Sequence, residues 1–113
     1  MMKQAIVLNV SLKMGKGKAA AQASHASVEA FMKTGEKTKR EWMARGMEKV
    51  VLKVPSEKEL LVLFDKAKRK KLPCSLIRDA GRTQIPAGSI TAIAIGPAGD
   101  EEIDEITGDL QLF

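Results

Sequence analysis

Cationic and flexible residues concentrate at the start of the first segment that is predicted to be helical. After an apolar strand-like run, the chain carries Lys13, Gly15, Lys16, Gly17 and Lys18. The first N–H groups of a helix lack backbone partners, and the helix dipole adds positive charge at that end. The segment therefore predicts a site for a phosphate or carboxylate, with a flexible turn of solvated lysines as the alternative. It is not a P-loop, because Ala19 stands where such a loop has a magnesium-binding Ser or Thr.

Polar side chains continue along one edge of the same predicted helix. Offsets of 0, 4, 7 and 11 residues relate Lys18, Gln22, His25 and Glu29. At about 100° per residue these positions share one stripe. A lysine can stabilise negative charge, a glutamine amide can orient a carbonyl or a water, and a histidine can transfer protons near neutral pH. A helical histidine taken alone is more often structural than catalytic.

A second polar cluster follows the third predicted strand. Asp79 comes directly after that strand, at the carboxyl edge of the sheet, where open α/β sheets bind ligands. A turn residue that bonds to nearby backbone is the alternative reading of this carboxylate. Arg82 can bind a phosphate with two hydrogen bonds, and Thr83 can hold a water or position Asp79. Ser89 and Thr91 flank the start of the fourth strand and add hydroxyls to the same rim.

These clusters must be positioned by an alternation of strands and helices. The expected strands are 3–10, 47–54, 74–78 and 90–95, and the expected helices are 17–33, one through 41–43, one after the Ser56/Glu59 capping box, and 100–106. Strands separated by helices favour a sheet covered on both faces. The pattern therefore predicts an α/β fold, although it does not give the order of the strands.

Length and composition narrow the class of protein. A chain of 113 residues with 44% hydrophobic and 29% charged residues is expected to form one soluble domain, 1–113. No apolar run approaches the roughly 20 residues needed to span a membrane, and the N-terminus lacks the pattern of a signal peptide, so we expect a cytoplasmic protein. One Cys and one His exclude a disulfide framework and argue against a zinc site. We expect neither a metal nor a cofactor.

The charge is distributed unevenly along the chain. Residues 1–71 contain 17 Lys or Arg against 7 Asp or Glu, whereas residues 72–113 contain 2 against 7, within a net charge of +5. A basic region of this kind suits a polyanionic partner, although ordinary solubility is the simpler explanation. With no Tyr and three Phe, the chain lacks the aromatic array of a single-strand-binding platform.

Together the motifs resemble those of the type 2 peptidyl-tRNA hydrolase family, the form associated with archaea and eukaryotes. The resemblance covers nearly the whole chain, and its segments are Leu12–Lys18, Ala20–Gln22 with His25, Leu72-Pro73, Asp79–Gln84, Gly88-Ser89, Ile95–Ala98 and Ile106–Gly108. It implies a three-layer α/β/α sandwich with a mixed four-stranded sheet, often dimeric. It also implies peptidyl-tRNA as substrate, hydrolysed at the ester that joins the peptide to the terminal ribose.

The resemblance also assigns residues. By position, the resemblance implies Lys18, Gln22, His25, Asp79 and Thr83 as catalytic residues, with Ser89 and Thr91 as further positions of the site. The expected substrate-binding residues are Ser89 and Thr91 together with Lys13, Lys16 and Arg82, which the charge and chemistry of the residues themselves indicate. Many relatives have a cysteine directly after the motif glutamine, where this chain has Ala23. A covalent thiol mechanism at that position is therefore excluded here.

The residues fit the implied reaction but leave alternatives open. Asp79, oriented with Thr83, would activate or position a water, Lys18 would stabilise negative charge, and Gln22 would orient the carbonyl or the water. His25 would shuttle a proton or support the network, and it could exchange roles with Asp79 as general base. Two other classes of protein remain as alternatives. One is a non-catalytic tRNA- or RNA-binding module, and the other is an interaction protein that uses the alanine-rich helix or the Trp42 region.

Overall fold

The computed structural model describes residues 1–82 and 85–113 of the chain. In chain order the elements are β1 (Met2–Asn9), a 3₁₀ turn (Val10–Leu12), α1 (Lys16–Met32), α2 (Glu36–Ala44), β2 (Lys49–Val54), α3 (Glu57–Arg69), β3 (Cys74–Arg78), β4 (Ile90–Gly99), α4 (Asp100–Thr107) and β5 (Gln111–Leu112). None of the helices in this part of the chain combines the length and apolarity that crossing a membrane requires.

The strands form one mixed sheet in the order β3-β4-β1-β2-β5. The central pair β1 and β2 is parallel, whereas β4 runs antiparallel to both β1 and β3. The predicted α/β fold with a mixed sheet is confirmed. The predicted number of four strands is wrong, because β5 adds a fifth by pairing Gln111 and Leu112 with β2. A strand of two residues is too short to show the alternation by which sequence patterns reveal strands.

Strand β1 contributes to two separate hydrophobic clusters. Ala5 and Val7 belong to a cluster that also contains buried residues of α3 and α4. Ile6 and Leu8 belong to a second cluster that contains the alanines of α1. Successive side chains of a strand point to opposite faces, so the two clusters contact opposite sides of β1.

Helix α1 lies close to the sheet because its inward face consists mainly of alanine. Ala19, Ala26 and Ala30 are almost fully buried. The Ser75 hydroxyl of β3 donates to the carbonyl of Ala26 at 2.7 Å, which ties the middle of α1 to the sheet. Small side chains permit close approach of the helix to the sheet. Together with the Ser75 bond, this packing sets the position of α1 relative to β3.

Strand β4 runs further than the sequence pattern indicates, to Gly99 and not to position 95. Gly96 interrupts the pattern with a positive φ of 101°, yet its N–H donates to the carbonyl of Pro73 at 2.8 Å. A Cβ on Gly96 would lie 2.7 Å from the carbonyl oxygen of Lys3. Glycine therefore lets the end of β4 pack directly on the β1 backbone.

Candidate active site

The two polar clusters of the sequence meet at one end of the sheet. Lys18, in the first turn of α1, donates from Nζ to Oδ1 of Asp79, which directly follows β3 and is 61 residues away in the chain. The Asp79 side chain is 0% exposed and the Lys18 side chain 19% exposed. The site therefore contains a buried carboxylate whose charge is balanced by a partly accessible ammonium.

Asp79 is also the organising residue of the turn that follows β3. Its Oδ2 accepts a hydrogen bond from the N–H of Gly81 at 2.8 Å. Its own N–H donates to the carbonyl of Ser89 at 2.8 Å, and its carbonyl accepts from the N–H of Gly88 at 3.0 Å. Asp79 is therefore a turn residue and also the partner of Lys18, because one carboxylate oxygen bonds within the turn while the other accepts from Lys18.

Gln22 lies one turn beyond Lys18 and is buried between α1 and β4. Its Oε1 accepts a hydrogen bond from the Thr91 hydroxyl at 2.7 Å. A second acceptor of that hydroxyl, the carbonyl of Ile77, lies further away at 3.4 Å. Since Thr91 occupies the oxygen end of the amide, the NH₂ end of Gln22 is left to donate elsewhere.

The glycines at the start of α1 leave the approach to this site open. A Cβ added to Gly15 or Gly17 would meet no atom within 4 Å. The helix has no side-chain cap at Gly15 and no acidic residue in its first turn. The exposed N–H groups and the positive end of the dipole therefore face solvent, as the predicted anion site requires.

The other predicted site residues are placed less centrally. Lys13, Lys16 and Arg82 are exposed. Ser89 is half-buried, and its hydroxyl donates to the carbonyl of Pro86 at 2.8 Å within the turn. Thr83 lies outside the described residues.

His25 is not brought into the network of Lys18 and Asp79. The buried row of α1 is Ala19, Gln22, Ala26 and Ala30. The polar stripe therefore turns away from the sheet after Gln22, and His25 is exposed. Within the described part of the chain, the hydrogen bonds and ion pairs of the site do not involve this imidazole.

Two residues that sequence reasoning missed hold the start of β4 in place. Asn9 donates from Nδ2 to the carbonyl of Ile90 at 3.2 Å, and Glu57 accepts from the N–H of Ile90 at 3.1 Å. Side chains therefore bond both the N–H and the carbonyl of Ile90, the residue before Thr91. The only sequence signal was a polar Asn9 at the end of an apolar strand, and Glu57 resembled an ordinary first-turn acid.

The arrangement is suited to general-base hydrolysis. A buried carboxylate can accept a proton from water, an ammonium can stabilise a developing oxyanion, and an amide donor can hold a carbonyl oxygen. Among the described residues, no group of three or more His, Cys, Asp or Glu side chains could hold a metal ion.

Comparison with known proteins gives a consistent result. A family model described as "Peptidyl-tRNA hydrolase PTH2" matches residues 2–113. A peptidyl-tRNA hydrolase of Methanocaldococcus jannaschii is 53% identical, over 99% of this chain and 100% of the relative. One of Methanococcus maripaludis is 56% identical over 100% of both chains, and one of Haloquadratum walsbyi is 52% identical over 99% and 100%. The chain therefore belongs to the PTH2 family of peptidyl-tRNA hydrolases.

Proposed function

We propose that this protein hydrolyses the ester bond of peptidyl-tRNA and releases free tRNA and the peptide, an N-substituted amino acid. Family membership over residues 2–113 and full-length relatives named for this activity support the reaction. The observation that carries the assignment of the site is the contact between Lys18 and Asp79, since it joins the two motifs that the reaction needs.

In the proposed mechanism Asp79 acts on water. Its carboxylate accepts a proton as the water oxygen attacks the ester carbon, and the carbonyl oxygen becomes negatively charged. When the tetrahedral intermediate collapses, the bond from carbon to the ribose oxygen breaks, and the proton on Asp79 passes to that oxygen. The carboxylate is thereby regenerated, which balances protons over the cycle. Thr83 is proposed to orient Asp79.

Lys18 and Gln22 are proposed to bind the carbonyl oxygen. An ammonium has three donors, so Lys18 can bond to Asp79 and to an oxyanion at the same time. The contact from Thr91 occupies Oε1 of Gln22, which favours a donor role for its NH₂ group. Of the two roles considered for Gln22, orientation of the carbonyl is therefore the better supported. Removal of one such donor commonly lowers the rate by about 10²–10³.

The remaining candidates are assigned to substrate contact or to positioning. Exposed Lys13, Lys16 and Arg82 are proposed to bind tRNA phosphates. Thr91 is 0% exposed, so we assign it to holding Gln22. His25 is proposed to contact the substrate or relay a proton from the solvent side of α1. Ser89 is proposed to shape the rim of the site.

The wider arrangement is also proposed. We take residues 1–113 as one domain whose helices cover both faces of the sheet in three α/β/α layers, as two cores on opposite faces of β1 suggest. We propose that it acts in translation, in the cytoplasm, as a homodimer. Exposed apolar side chains on α1 and α2 support a dimer contact, namely Val28, Met32 and Met43. Sedimentation of the wild type and of Met32→Glu tests this assembly.

Incubation with N-acetyl-aminoacyl-tRNA tests the function. The wild type is expected to release free tRNA with multiple turnovers, and Asp79→Ala is expected to release almost none while still binding tRNA. The competing RNA-binding module predicts salt-sensitive binding without release. A wild-type preparation that binds tRNA and leaves the ester intact would therefore refute the enzymatic assignment.

A further inference from the structure

A cleft of about 630 Å³ lies at the end of the sheet away from Lys18 and Asp79. It is lined by the start of β3 at Pro73 and Cys74, and by the end of β4 at Pro97–Gly99. Asp79 follows the other end of β3, so at about 3.3 Å per residue roughly 16 Å separates it from Cys74. The volume is in the range of small-ligand sites.

Three lysines line this cleft at or just beyond the C-terminal ends of two helices. Lys33 follows α1, while Lys68 and Lys71 lie in and just after the last turn of α3. The ion pairs of the described residues involve none of the three, although Lys68 lies 5.4 Å from the centre of the Phe64 ring. Glu102 is the acidic residue in the lining, so the cleft is left with net positive charge.

Two of these lysines act electrostatically on Cys74, which lies in the wall of the cleft. Burial raises the pKa of the Cys74 thiol, whereas the positive charges of Lys33 and Lys68 act in the opposite direction. Both ammonium groups are therefore close enough to act on one side chain from different helices. An anion in the cleft would experience the same two charges.

A helix N-terminus adds donors to the same cleft. Gly35 and Thr38 line it, and α2 begins at Glu36 with no side-chain cap at Gly35. The acid in that first turn is turned to Lys39, with 3.4 Å between Oε1 and Nζ. Uncapped N–H groups and the positive end of the dipole are thus available beside the lysines.

We propose that this cleft is a phosphate-binding site separate from the Lys18–Asp79 site. Lysine side chains and helix N–H groups are the donors that bind phosphate, and Phe64, Leu72 and Pro97 give an apolar wall for the sugar or base beside it. The phosphate is either a phosphodiester of the tRNA held at Lys18–Asp79, which rests on the proposed function, or that of a free nucleotide. A tRNA carries a phosphate at every nucleotide, so the separation of the two sites suits one bound molecule.

The test compares two double variants with equal loss of charge. Lys33→Gln/Lys68→Gln removes two of the three lysines that line the cleft, and Lys58→Gln/Lys66→Gln removes two exposed lysines of α3 that do not line it. Each is titrated with adenosine 5′-monophosphate and, over a series of salt concentrations, with deacylated tRNA. The charge-retaining Lys33→Arg/Lys68→Arg variant should restore whatever binding is lost.

Either of two results supports the proposal. If the phosphate belongs to tRNA, the cleft variant binds tRNA at least tenfold more weakly than the control, and its salt slope is smaller by about 1.4–1.8 for two lost contacts. If the phosphate belongs to a free nucleotide, the cleft variant binds adenosine 5′-monophosphate more weakly than the control and binds tRNA equally well. Equal behaviour of the two double variants with both probes would overturn the proposal. Release of tRNA from N-acetyl-aminoacyl-tRNA by the wild type reports separately on the proposed function.

Discussion

Two separate sets of contacts hold the polar groups near the end of β3, one around Asp79 and one around Gln22. Lys18 neutralises Asp79, Gly81 orients the second carboxylate oxygen, and Thr91 turns the amide of Gln22. In the proposed mechanism, such contacts would hold the reacting groups in place before substrate arrives and so reduce reorganisation during the reaction. We therefore expect different effects from changes at Lys18 and Asp79, which are proposed to react, and at Thr91, which is proposed only to position Gln22.

Thr91 is expected to act through Gln22. Thr91→Val keeps the side-chain volume but removes the hydroxyl, so the oxygen end of the amide loses its donor. One hydrogen bond contributes about 0.5–1.5 kcal/mol, which predicts a decrease of about 2- to 13-fold in kcat with little change in KM. Steady-state kinetics on N-acetyl-aminoacyl-tRNA measures both.

Thr91→Ser provides the matched control, because it retains the hydroxyl and should keep most of the activity. A Thr91→Val enzyme with wild-type kcat, or a Thr91→Ser enzyme as impaired as the valine variant, would contradict this role.

Among the backbone elements, the glycines differ in what they permit. Gly96 has a φ of 101° and no room for a Cβ beside the β1 backbone, whereas Gly17 lies in the first turn of α1 with nothing within 4 Å. Gly96→Ala should lower the free energy of unfolding by at least about 1–3 kcal/mol. Gly17→Ala should raise it by up to about 1 kcal/mol, because alanine restricts the unfolded chain and favours helix. Urea denaturation measures both, and shifts of the same sign would contradict this account.

Regular elements were largely predictable from sequence, and their side-chain contacts were not. β3 was predicted with its observed bounds, and the bounds of α1 differ by one residue at each end, since periodicity and stop signals are local. β5 was missed because its pairing with β2 depends on tertiary contact.

The candidate site was predictable only in part. The residue types at Lys18 and Asp79 and their places at element ends indicated a shared edge. The bond between Gln22 and Thr91 joins residues 69 positions apart, and no local pattern encodes it. The hydrogen bonds that Asn9 and Glu57 make with the backbone of Ile90 also join residues far apart in the chain, so a local pattern does not predict them either.

Across the molecule as a whole, the excess of positive charge in residues 1–71 predicts salt-dependent binding of tRNA. The logarithm of the binding constant should fall linearly with the logarithm of salt concentration. Lys16→Gln and Arg82→Gln should each reduce the magnitude of that slope by about 0.7–0.9, the value for one lost phosphate contact. Filter binding over a salt series measures the slope. Unchanged slopes in both variants would exclude these side chains from phosphate contact.

A salt bridge between β1 and α4 predicts how stability depends on pH. Nζ of Lys3 lies 2.7 Å from Oδ1 of Asp104, and this hydrogen bond raises the pKa of Lys3 above its ordinary value of 10.5, against the opposing effect of burial. Stabilisation is therefore fully present below pH 10.5 and is lost as the pH rises through the folded-state pKa.

The wild type should accordingly lose thermal stability more steeply than Lys3→Gln above pH 10.5, so that the two midpoints converge. Thermal melts from neutral to alkaline pH measure this, with Lys58→Gln as an exposed control. A constant difference between wild type and Lys3→Gln over that range would contradict the assignment.

The most direct test asks whether Lys18 and Asp79 act on the ester as a unit. Single-turnover cleavage of N-acetyl-aminoacyl-tRNA is measured for Lys18→Met, Asp79→Asn and the double variant, with Lys66→Met and Asp65→Asn as exposed controls from α3. Each single substitution in the pair should lower the rate by about 10²–10³, and the double variant should be about as slow as the slower single one, since residues that act together are not additive. Near-normal cleavage by either single variant, or a double variant slowed by the product of the two effects, would contradict the account.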